Sequence, residues 1–151
     1  MLANSCSCVI LRAVFLMPDF VIEADGGSRG NPGVAAYGVV IRNDLAEVVF
    51  SDAQVIGHAT NNVAEFRGLI AGFEWLAQHA GAGAGVRVRL DSKLVIEQMA
   101  GRWKIKDSKL VALAKRAQQL ASGFAVEYEW VPREQNADAD ALLNAALDLA
   151  G

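Results

Sequence analysis

The chain has 151 residues, which suits one domain. Hydrophobic residues make up 53% of it, yet no apolar run reaches the roughly 18 uninterrupted residues that a membrane span needs. A net charge of −3 and a pI near 5.3 exclude capture of nucleic acid by the whole-molecule field. Chemistry on a polyanion would therefore need a local basic face and bound cations.

Residues 1–18 differ from the rest. Two apolar stretches are broken by Arg12, no basic residue precedes it, and no small-residue cleavage site follows. That pattern does not fit a signal peptide. It reads as an extension, loosely packed or disordered, with Met17 a natural first residue and the folded domain spanning 19–151. Cys6 and Cys8 are one residue apart, which disfavours a bridge between them. Two thiols alone also fall short of a structural zinc site. The remaining chain is cysteine-free, as suits a reducing cytoplasm.

Residues 20–25 read as a strand and 26–33 as a glycine-rich turn containing Pro32. Residues 34–43 and 47–56 read as two further strands, so the first three form an antiparallel meander. A helical period follows over 61–79, with Phe66, Leu69, Ile70, Phe73 and Leu76 on one stripe. After the small-residue loop 80–85, Val86, Val88 and Leu90 alternate with Arg87 and Arg89 as a fourth strand. Helices at 92–100 and 109–121, a strand at 126–130 and a helix at 136–150 complete the order β-β-β-α-β-α-α-β-α. Such an order implies an α/β domain with a mixed five-stranded sheet covered by helices.

Four acids stand where one element gives way to the next: Asp25, Glu65, Asp91 and Asp140. Side chains alternate along a strand, so Val21, Glu23 and Asp25 share one face, and Arg87, Arg89 and Asp91 share another. If the first and fourth strands are parallel neighbours, Glu23 meets the arginines and Asp25 approaches Asp91. Two carboxylates ~4 Å apart repel by roughly 4 kcal/mol at an effective dielectric near 20. They tolerate this by taking a proton or by holding a cation such as Mg²⁺. Each acid also has a plainer reading. Asp25 can open a turn, and Asp91 can cap a helix. Glu65 follows Asn62 by three residues, as in a capping box. Asp138 and Asp140 can be first-turn acids of the last helix. All four coinciding is the less ordinary outcome and favours metal-dependent phosphodiester chemistry.

The motifs Asp25-Gly26-Gly27-Ser28-Arg29-Gly30-Asn31-Pro32-Gly33, Thr60-Asn61-Asn62-Val63-Ala64-Glu65, Leu90-Asp91-Ser92-Lys93 and Asn136-Ala137-Asp138-Ala139-Asp140, in this order, resemble type 1 ribonuclease H over residues 20–148. Residues 97–106 are similar to its actinobacterial and archaeal branch. The resemblance implies the ribonuclease H fold, with the fourth and fifth strands parallel to the first. It implies two Mg²⁺ ions, with Mn²⁺ a substitute, on Asp25, Glu65, Asp91 and Asp140, with Asp138 the rival for the last place. It implies hydrolysis of the RNA strand of an RNA–DNA hybrid to 5′-phosphate and 3′-hydroxyl ends, by a monomer with no small-molecule cofactor and no membrane partner. Substrate contacts would come from Gly27, Ser28, Asn31, Thr60, Asn61 and Asn62, joined by Lys93, Trp103 and Lys104. Actinobacterial relatives often carry a fused C-terminal phosphatase-like domain.

Two departures stand out. The loop Val131-Pro132-Arg133-Glu134-Gln135 lacks the histidine that many bacterial members have, which leaves Glu134, water at the metal or a phosphate oxygen to handle protons. His58 reads as structural and His79 as a solvated helix end. The basic, tryptophan-rich protrusion of some members is reduced to Arg102, Trp103, Lys104, Lys106 and Lys109. The rival readings are a DNA-cutting nuclease of the same fold and a silent nucleic-acid-binding module.

Overall fold

The computed structural model describes residues 17–151; residues 1–16, with both cysteines and most of the expected N-terminal extension, lie outside the described residues. The elements are β1 (Phe20–Arg29), β2 (Gly33–Asn43), β3 (Val48–Ala59), α1 (Asn61–His79), β4 (Gly85–Leu90), α2 (Lys93–Met99), α3 (Ser108–Ala121), β5 (Ala125–Trp130), a 3₁₀ turn (Arg133–Asn136) and α4 (Ala137–Ala150). The sheet order is β3-β2-β1-β4-β5. β1, β2 and β3 form the antiparallel meander, and β4 runs parallel to both β1 and β5. The mixed sheet read from the sequence is the sheet observed.

Alternation on β1 sorts its side chains. Ile22 and Ala24 face the main core with Val39, Ile41, Val86 and Val88, under Phe66, Leu69, Phe73 and Leu76 of α1 and Leu110, Ala114 and Ala117 of α3. Burying each large apolar side chain contributes about 1.5–3 kcal/mol. The opposite face carries Glu23 and Asp25, and α4 lies across it against β2, β1 and β3. There Leu143 and Leu147 pack on Ala36 in a second, smaller cluster.

Two expectations need correcting. The first strand does not stop at Asp25: it stays paired with β2 to the Arg29–Val34 register, so the turn shrinks to Gly30, Asn31 and Pro32. Gly26 serves packing. A Cβ there would stand 2.3 Å from the backbone of Ala64 and Glu65, so only glycine lets α1 come this close to β1. Secondly, neither Asn61, Asn62 nor Glu65 caps α1. Thr60 does, its hydroxyl accepting from the Val63 N–H at 3.3 Å. Asn61 and Glu65 are thereby released for other contacts.

Candidate active site

The four acids arrive from four elements. Asp25 lies mid-way along β1, Glu65 one turn into α1, Asp91 just beyond β4 and Asp140 one turn into α4. One carboxylate oxygen each from Asp25, Glu65 and Asp91 lie within 4.8 Å of one another. Asp140 lines the same cavity, of about 350 Å³, close enough for its carboxyl to act on that of Asp25. Two close approaches create this meeting. Gly26 admits α1, and with it Glu65. Gly38 on β2, where a Cβ would stand 2.2 Å from the Ala139 carbonyl oxygen, admits α4, and with it Asp140.

Asp25, Glu65 and Asp91 are uncompensated: among the described residues none of them makes an ion pair, and of the four acids only Asp140 is paired, with Arg133. Burial, then the charge of Asp91, then Asp140, push the Asp25 carboxyl up to about 8, against which the Gly26 N–H works weakly. Burial, then Asp25 and Asp91, push Glu65 well above the usual carboxylate range. Glu65 Oε2 is buried with no hydrogen-bond partner. A buried oxygen without a donor, beside two further carboxylates, fits a hard divalent cation, which takes oxygen ligands and keeps water and phosphate oxygens for its remaining positions.

Asp91 is held from both sides. The Trp130 indole N–H donates to the Asp91 carbonyl at 3.1 Å. Buried Asn136 donates from Nδ2 to the Ala24 carbonyl at 2.7 Å and lies 3.5 Å from Asp91 Oδ1. Ser92, not Asp91, caps α2 by accepting from the Val95 N–H at 3.3 Å, which leaves the Asp91 carboxylate for the cavity. Asp138 points elsewhere and ion-pairs with Arg42.

The glycine-rich strand end and the start of α1 are knitted by amides. Asn61 Oδ1 accepts from the Ser28 N–H at 2.7 Å and from its hydroxyl at 3.0 Å, and Asn31 Oδ1 accepts from the Asn61 N–H at 3.1 Å. Gly27, Ser28 and Asn61 line the acid cavity. Thr60 lines a neighbouring hollow with Pro32, His58, Asp107 and Lys109. Asn62 is half-buried in the first turn of α1. Lys93, Trp103 and Lys104 are exposed and do not line the cavity; Trp103 and Lys104 sit in the connection between α2 and α3. Arg102 in that connection is paired with Glu97 at 2.5 and 2.9 Å. His79 stacks on Trp75 with ring centroids 4.3 Å apart, and His58 is exposed on β3.

The loop after β5 presents a side chain that the sequence patterns do not mark. Glu134 is exposed and does not line the cavity. Arg133 does, with Nη2 3.5 Å from Asp140 Oδ1. Arg29, Asn144, Leu143 and Leu147 also line it and are absent from the expected site residues. Helical spacing from Asp140 would mark Asn144 and Leu147; nothing in the loop's spacing marks Arg133.

A mixed sheet of this order, with carboxylates at the shared end of β1 and β4, is the architecture of the ribonuclease H-like class of α/β domains. Residues 23–146 match the family model described as reverse transcriptase-like. The chain is 54% identical over 132 residues to a bifunctional protein of Mycobacterium tuberculosis, covering 86% of this chain and 36% of that protein. Among solved structures, RNase H1 of Halobacterium salinarum is 41% identical with a TM-score of 0.80, covering 85% of this chain and 97% of that one. LC11-RNase H1, solved with an RNA/DNA hybrid, is 36% identical with a TM-score of 0.82, covering 87% and 98%. The chain belongs to the type 1 ribonuclease H family. It spans about a third of the length of the first curated relatives that it matches.

Proposed function

We propose that this chain is an endoribonuclease that hydrolyses the RNA strand of RNA–DNA hybrids. Asp25, Glu65, Asp91 and Asp140 would hold two divalent cations, Mg²⁺ or Mn²⁺. When bound, these would neutralise developing charge and polarise the phosphate and the attacking water. The observation that carries this reading is the uncompensated cluster, with its orphaned Glu65 oxygen, in an open cavity. Burial and mutual repulsion there are relieved by cations, and a substrate phosphate can complete the shell.

The cavity wall supports a hybrid as substrate. Asn61 Oδ1 is occupied by Ser28, so the group this amide would offer a substrate is its Nδ2 donor. An A-form-like minor groove is wide and shallow and displays 2′-hydroxyls and base acceptors, which short amides on a rigid rim can reach. Asn136 and Trp130 orient Asp91. Arg133 adds a guanidinium at Asp140, suited to a phosphate oxygen. A domain beyond this chain, as the longer mycobacterial relative suggests, is part of the same reading.

The test offers end-labelled RNA as single strand, RNA–RNA duplex and RNA–DNA hybrid, with each metal and with chelator. Metal-dependent cleavage of RNA in the hybrid, leaving 5′-phosphate and 3′-hydroxyl ends, is expected, and Asp91→Asn should abolish it. Cleavage of the DNA strand would favour a DNA-acting nuclease of the same fold. Binding without cleavage would leave a silent module.

A further inference from the structure

The floor of the cavity and one of its walls run side by side. Asp25, Gly27 and Arg29 share a face of β1, and from Asp25 to Arg29 the strand rises ~13 Å. From Asp140 to Asp148 α4 rises ~12 Å. The two spans are matched end to end: Asp140 meets Asp25, Leu143 lies over Gly27, and Asp148 ion-pairs with Arg29. One end of this groove therefore sets acid against acid, and the other sets acid against base.

The Arg29–Asp148 pair is weakly held. The two side chains are 49% and 69% exposed, and a pair so exposed contributes little to stability and is screened by salt. Only one guanidinium nitrogen contacts Asp148, so most of the five-donor fork remains open beside a cavity that Arg29 itself lines. Among the cavity-lining residues, Arg29 and Arg133 are the basic ones, and Arg133 sits at the acid end. The other charged residues of the lining are the four carboxylates, so a polyanion in the groove has these two guanidiniums as its only cationic contacts there.

We propose that Arg29 is a phosphate-binding residue, resting on Asp148 in the free protein and exchanging it for a backbone phosphate of the bound strand, away from the phosphate at the acids. The inference rests on the hydrolase reading and adds a second point of attachment to it. Guanidinium and phosphate match in bidentate geometry, and a strand phosphate displaces a single exposed carboxylate at little cost. Asp148 then acts as a competitor that keeps the groove end closed to weak anions.

The experiment measures binding of a fluorescent RNA–DNA hybrid across a salt series, with Mg²⁺ present, in an Asp91→Asn parent that leaves the duplex uncut. Arg29→Ala should weaken binding about five- to tenfold and lower the salt slope by about 0.9, the share of one phosphate contact. Asp148→Asn should tighten binding about two- to threefold, and only when Arg29 is present. Melting temperature should move little in each variant, which separates contact from folding. Unchanged affinity and slope in Arg29→Ala would overturn the proposal, as would tightening by Asp148→Asn in the Arg29→Ala background. A parent that binds no hybrid at all would sink the hydrolase reading, and this inference with it.

Discussion

Glu23 and Asp25 stand two residues apart on the same face of the same strand, and both are buried, at 7% and 6% exposure. Their neighbourhoods are opposite. Glu23 lies between two guanidiniums, Arg42 at 2.7 Å and Arg89 at 3.8 Å. Asp25 lies among Glu65, Asp91 and Asp140. Burial of a carboxylate therefore says little about its role. What distinguishes the two is whether the fold supplies a counter-charge or leaves that to something bound. Arg89 also donates to Gln135 at 3.0 Å, so the compensated site braces the turn that carries Arg133 and Asn136. One half of the strand face is charge-balanced by neighbouring arginines, and the other gathers carboxylates against one another.

The sharpest way to break this contrast is to remove a charge from the acidic half. Asp25→Asn should keep the fold and lower hybrid cleavage at least ~10³-fold, because several kcal/mol of transition-state stabilisation would go with the metal site, at about 1.4 kcal/mol per factor of ten. Initial rates at saturating Mg²⁺ check this; a loss below tenfold would remove Asp25 from the machinery. Neutralising the charge-balanced half should do the reverse. Glu23→Gln takes from Arg42 and Arg89 their shared buried partner, leaving them Asp138 and Glu129, and should cost about 1–2 kcal/mol, a fall in melting temperature of roughly 2–8 °C, with Mg²⁺ dependence of cleavage retained.

The smallest effect sharpens the comparison through pH. In the folded, metal-free protein the Asp25 carboxyl is pushed up to about 8, against 3.8 for the ordinary group, and Glu65 moves in the same direction. The folded state thus binds these protons more tightly than the unfolded chain. That contribution to stability is full below about pH 4 and is lost as pH rises towards 8. Melting of the chelated protein should fall across this window. Mg²⁺ should restore stability increasingly towards the alkaline end, and Asp25→Asn should flatten the fall by ~1–2 kcal/mol. A chelated protein whose melting temperature rises with pH over the same range would contradict the uncompensated cluster.

Much of this contrast is legible in the residue order. Strand alternation puts Glu23 and Asp25 on one face, and parallel pairing of β1 with β4 brings Glu23 to Arg89 and Asp25 to Asp91 as that order implies. The glycines are the weak point. Local rules assign Gly26 and Gly27 to a turn, because a missing side chain signals freedom when only neighbours in sequence are considered. Their actual surroundings, Ala64 and Glu65 for one and Leu143 for the other, are 38 to 116 residues distant in the chain.

The last helix shows where the division falls. The chain by itself determined that α4 carries acids in its first turn, since Asp138 and Asp140 are simply written there. Two residues on a helix point ~200° apart, so only one of them can face a given cavity. Which one does depends on the rotation at which α4 docks, and that is set by the approach of the Ala139 carbonyl to Gly38. The same docking sends Asp138 to Arg42, brings Asp140 to Asp25 and lays Asp148 beside Arg29. Residue types and their order are local information. The phase of a helix on a sheet is the outcome of contacts among distant residues, and it decided which acid of α4 joins the pocket.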